Sequence, residues 1–63
     1  MNRLKQAYIT NRKAQIAALQ AGNEVLFNFY GARVNRAISA LIEQAGSEDS
    51  AAFLICEWEV GLA

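Results

Sequence analysis

Few side chains in this 63-residue sequence could do chemistry, and their types and spacing argue against catalysis. Cys56, the single cysteine, is the obvious nucleophile, yet the chain has no histidine to activate it. Its neighbours Leu54 and Ile55 instead suggest a small buried packing residue. Glu57 and Glu59 could be imagined as a carboxylate pair. On a helix, two residues of separation turns them about 200° apart; on a strand they share a face but lack an acid–base partner. Glu43 with Asp49 is no better placed. One cysteine and no histidine exclude the usual zinc sets, and no glycine loop of the phosphate-cradling type occurs. No enzyme activity, cofactor or metal is expected.

Charge is more informative than any catalytic set. All six cations (Arg3, Lys5, Arg12, Lys13, Arg33, Arg36) fall within residues 1–36, where Glu24 is the one acid, a net of +5. Residues 37–63 hold the other five acids (Glu43, Glu48, Asp49, Glu57, Glu59) and no cation, a net of −5. Such halves attract each other, within one chain or between copies, and a basic half can also seek an outside anion. Arg3, Lys5, Arg12 and Lys13 could meet a nucleic-acid backbone, with Asn11, Gln15 and Asn35 available for base edges. A pI near 6.1 is far below that of a dedicated nucleic-acid domain, so this reading is the alternative. Mutual pairing of the halves and solvated helix faces are the plainer expectation.

Length then sets the architecture. Sixty-three residues form at most a single domain, spanning 1–63, and one this small buries only about 60% of the surface it exposes when unfolded. Disulfides and zinc being excluded, self-association is the remaining aid to stability. A hydrophobic content of 54% agrees, being more than one small core can cover. A homodimer completing a helical bundle is therefore expected. The lone cysteine suits a reducing cytosol, no secretory signal is evident, and no uncharged run approaches the ~20 residues of a membrane helix. The expected setting is cytoplasmic.

Absence of proline and four scattered glycines point to an all-α chain. Gln20-Ala21-Gly22-Asn23-Glu24 and Gln44-Ala45-Gly46-Ser47-Glu48 each read as a helix stop followed by a cap. Three helices are expected, near 2–21, 24–45 and 48–60, although Gly22 could also lie inside one long helix. On the first, Leu4, Tyr8, Ile9, Ile16 and Leu19 share a face with Lys5 and Arg12, while Ala7, Ala14, Ala18 and Ala21 make a second, small-residue face. On the second, Leu26, Tyr30, Val34, Ala37, Ile38, Leu41 and Ala45 form a core stripe. Residues 25–30 are apolar nearly all round, which predicts enclosure on several sides. Gly31 allows a kink or a close crossing. The last segment has two apolar faces as a helix, and Cys56, Trp58 and Val60 alternate with acids as a strand. A helical hairpin ending in a β-strand is thus the alternative fold.

Aromatic residues and arginine are the usual anchors of protein interfaces. Val25, Phe29, Arg33 and Arg36 lie off the core stripe, and with Trp58 they are the candidate protein-binding residues. The expected function is that of a small intracellular regulator (inhibitor, adaptor or assembly chaperone) that occludes or bridges a protein target.

Overall fold

The computed structural model describes residues 2–62, and all three segments are helical: α1 (Asn2–Gln20), α2 (Glu24–Ala45) and α3 (Glu48–Val60). The strand alternative for the C-terminal segment is corrected. Ser47 caps α3, its hydroxyl accepting from the Ser50 N–H at 3.2 Å, and Glu48 and Asp49 occupy the positive end of the helix.

Both glycine punctuation marks end helices. Gly22 takes φ +71°, with its N–H on the Leu19 carbonyl at 3.1 Å and the Asn23 N–H on the Ala18 carbonyl at 2.8 Å. That pair of bonds is the Schellman closure, and it rules out one continuous helix through residue 22. Asn23 then caps α2, its Oδ1 accepting from the Leu26 N–H at 3.1 Å. Gly46 ends α2 by the simpler left-handed closure, at φ +84° with its N–H on the Ile42 carbonyl. A Cβ at either glycine would meet no atom within 4 Å, so any penalty for one is purely conformational. Gly46→Ala is expected to lower stability by about 1–2 kcal/mol in chemical denaturation. Gly46→Asn, which tolerates the left-handed region better, should lose less.

The three-residue turn 21–23 folds α2 back along α1. At the close crossing, Gly31 faces Gln15, whose Nε2 would stand 2.9 Å from a Cβ at position 31. Helix α2 runs unbroken through Gly31, so the glycine serves approach between the helices. Helix α3 covers one end of this hairpin. Tyr8, Val34, Ala37, Leu41, Ala51 and Trp58 form the buried cluster, with Leu4, Ile9, Ile38, Ile42, Leu54 and Ile55 packed around it.

Thirteen residues of α3 cannot cover the 22 of α2. The turn end of the hairpin is therefore bare, and the expectation that residues 25–30 are enclosed fails within the single chain. Val25 is 79% exposed, Leu26 42% and Phe29 51%. The face opposite α3 is bare too. Arg12 meets α3, and Ala14, two residues on, lies about 200° around the helix. Arg33 precedes Ile38, which packs on the buried cluster, by five residues, about 140° around α2. Ala14, Ala17, Ala21, Leu26 and Tyr30 line a shallow groove on that back face.

Candidate protein-binding surface

A polar latch holds α3 on the hairpin and fixes which surfaces stay free. Tyr8 donates its hydroxyl hydrogen to Glu59 Oε1, and Arg12 Nε donates to the same oxygen at 3.1 Å. Arg12 Nη1 also donates to Gln15 Oε1 at 2.8 Å, behind which lies Gly31. The Tyr8 ring packs on Trp58, with centroids 5.6 Å apart and planes tilted by 49°. Arg12 thus reaches Glu59 within the chain, one of the two ways in which the basic and acidic halves could pair. Each side chain of the pair is about one-third exposed (33% and 35%), so the ion pair contributes under about 1 kcal/mol and mainly sets register.

Burial, followed by the hydrogen bond to Glu59 and the charge of Glu59, pushes the Tyr8 phenol from 10.0 up to about 12, against an opposing pull from Arg12. At neutral pH the phenol therefore keeps its hydrogen and donates it to Glu59. Its folded value is raised, so its stabilising contribution is complete below pH 10 and lost as pH climbs toward 12. Wild type should be more stable than Tyr8→Phe at neutral pH, and the difference should shrink between pH 10 and 12. Urea denaturation across that range checks this; a constant difference would contradict it.

Beyond the latch, α2 presents its aromatic and arginine residues outward. The Arg33 guanidinium lies over the Phe29 ring, 5.4 Å from its centroid, and Phe29 meets Tyr30 edge-on at 5.1 Å. Phe29, Ala32, Arg33 and Arg36 line a hollow on this side, with Val25 one turn before Phe29. Around the turn, Leu19, 63% exposed, and Phe27 border a second apolar hollow. Four of the five residues named as protein-binding candidates, Val25, Phe29, Arg33 and Arg36, are thus neighbours on one exposed face. Trp58 is not among them. It is 8% exposed and sits in the core against Tyr8.

The proposed nucleic-acid residues do not form one stripe. Arg12 is engaged by Glu59 and Gln15, and Arg3, two residues before Lys5, points about 200° away from it. Asn11 donates to the Ala7 carbonyl at 2.8 Å, which, like the Gln15 bond, satisfies locally a side chain considered for base edges. Cys56 is exposed, correcting the expectation of burial: Ala51, Leu54, Ile55 and Trp58 turn inward and leave Cys56 on the outer face with Phe53 and Val60. Among the described residues no three His, Cys, Asp or Glu side chains converge, and no helix is long and apolar enough to cross a membrane.

Comparison of the chain with protein-family models, with curated proteins and with solved structures finds no match.

Proposed function

We propose that this chain acts by binding another protein, as a small intracellular regulator, and carries out no catalysis of its own. The observation that carries this reading is the Val25–Phe29–Arg33–Arg36 face. There a large aromatic ring is exposed and already stacked under an arginine, outside the core that stabilises the fold. Stacking restrains both side chains before any partner arrives, and the fewer rotamers lost on binding, the more of the contact energy appears as affinity. Phe29 and Val25 supply the apolar centre. Arg33 and Arg36 give the rim a positive sign and select a target whose apolar site is edged by carboxylates. Occlusion of that site is the mechanism: a rigid helical surface covers it and withholds it from other partners.

The scaffold also self-associates in this reading, a second copy contributing helices to a bundle that one chain leaves open. The exposed Leu19, Val25, Leu26, Phe29, Phe53 and Val60 support this, being apolar surface that none of the three helices covers.

Affinity capture with wild-type and Phe29→Ala/Arg36→Glu baits tests the target-binding face. Both residues are exposed, so the double variant should keep the wild-type circular dichroism spectrum and melt within about 1 kcal/mol of it. Its binding to the captured protein should fall by 10-fold or more, about 1.4 kcal/mol or above. Lys5→Ala with Lys13→Ala, on another side of the molecule, should leave binding unchanged. Unaltered binding by the Phe29/Arg36 variant would overturn the assignment.

A further inference from the structure

We propose that the bare back of the α1–α2 hairpin receives helix α3 of a second copy, so that copies associate head to tail. This rests on the self-association reading above. The groove adjoins the target-binding face and shares Arg33 with it, whereas Phe53, Cys56 and Glu57 lie on α3, away from that face, so their variants separate the two.

Two uncovered surfaces of the chain match in shape and in sign. The first is the back groove. Ala14, Ala17 and Ala21 keep its α1 wall low, while Leu26 and Tyr30 form its α2 wall. A wall of alanines lets a helix approach closely, near the short end of the 8–10 Å range of packed axes. Exposed Arg33, whose guanidinium lies over Phe29 in the adjoining hollow, follows Leu26 by seven residues and so stands beside the α2 wall of the groove. Exposed Arg3 shares the alanine side of α1 nearer its N-terminus. The second surface is the outer face of α3. Phe53 is 67% exposed, Val60 77%, and Cys56 lies exposed between them. Exposed Asp49 and Glu57 flank this seam, and α3 carries no cation.

The dimensions agree. Phe53 and Val60 are seven residues apart, as are Ala14 and Ala21, so side chains about 10 Å apart along one helix meet gaps of the same spacing on the other. Helix α3 spans about 20 Å, within the 35 Å long axis of the molecule.

Charge selects the occupant. Among the described residues Arg12–Glu59 is the single ion pair, so Arg3, Arg33, Asp49 and Glu57 pair with none of the other described residues. Two α3 seams laid together would oppose acid to acid, and two back grooves would oppose arginine to arginine. The seam of one copy on the groove of another opposes unlike charges along an apolar centre, an arrangement that orients the contact and excludes the like-charged alternatives. In it the hairpin is packed between its own α3 and that of its neighbour, which supplies the fourth helix.

Because α3 and the groove lie on opposite faces of the hairpin, each added copy leaves one groove and one seam free. Such heterologous contacts continue into a ring or an open chain. A dimer is then only the first step.

Sedimentation equilibrium across a wide concentration range, at low and high salt, is the test. Average mass should rise with concentration past that of a dimer, and the rise should weaken with salt. Alkylation of Cys56, used as a reporter inside the seam, should slow as concentration increases. Arg33→Glu and Glu57→Lys alter exposed side chains and should each weaken association about tenfold, with the helical spectrum unchanged. Mixing these two variants should restore association, since every groove then finds a seam of opposite sign. Phe53→Ser should weaken association without charge reversal. A chain that stays monomeric throughout, that stops at a dimer, or whose two charge variants fail to rescue each other on mixing would overturn the proposal.

Discussion

Trp58→Ala should destabilise the fold by about 3–5 kcal/mol, which is as much as a core of this size usually supplies. Trp58 is 8% exposed and is the largest side chain in the buried cluster. Its ring packs on Tyr8 of α1, while Glu59, the next residue, takes the hydrogen bonds of Tyr8 and Arg12. One substitution therefore removes the apolar half of the attachment of α3 and unseats its polar half. With the only tryptophan gone, the loss is read by far-ultraviolet circular dichroism. The expected result is a melt without a cooperative transition, leaving partial helicity from α1 and α2. A cooperative melt within about 1 kcal/mol of wild type would mean that α3 is held by other contacts.

Leu41→Ala should cost about 2–5 kcal/mol, the upper part of the range applying where neighbours cannot collapse into the gap. Leu41 is the largest fully buried side chain, at 1% exposure, and sits where all three helices meet. Ala37 and Ala51 beside it are too small to fill the space it leaves. Denaturant midpoints of the wild type and of Leu41→Ala measure the loss, and Leu41→Met, close in volume, should retain most of the stability. A cost below about 1 kcal/mol would show that the core is not centred on α2. In contrast, Leu26, on the same stripe but 42% exposed, should tolerate alanine with a far smaller loss.

That contrast shows what a sequence can carry and what it cannot. Helix ends were legible because the signals are local: Gly22 and Gly46 adopt the positive φ their flanking residues suggest, and Asn23 and Ser47 each cap the following helix. The stripe from Leu26 to Ala45 was legible as a period, but a period does not say how far a covering helix extends. Helix α3 ends too soon to reach Leu26, so the same stripe is core at Leu41 and open surface at its start.

Helix α3 poses the same difficulty in another form. Its two apolar faces are both visible in the sequence, and only docking decides between them. The latch from Glu59 to Tyr8 and Arg12 selects the Trp58 face, which buries Trp58 and exposes Cys56, Phe53 and Val60. Gln15 gave no sequence signal for its position, which depends on the missing side chain of Gly31 across the hairpin. For the candidate surface, adjacency of Val25, Phe29, Arg33 and Arg36 followed from helical spacing alone. The stacking of Arg33 on Phe29 is the added information from the fold.

The most direct measurement for target binding by the Val25–Phe29–Arg33–Arg36 face is capture from the lysate of the source organism, split into nuclease-treated and untreated halves. It is run with wild-type bait and with the Phe29→Ala/Arg36→Glu bait. The binding-module reading predicts one stoichiometric protein on the wild-type bait, retained after nuclease and missing from the variant. Nucleic acid on the bait, with its proteins lost on nuclease treatment, or equal capture by both baits, would contradict it.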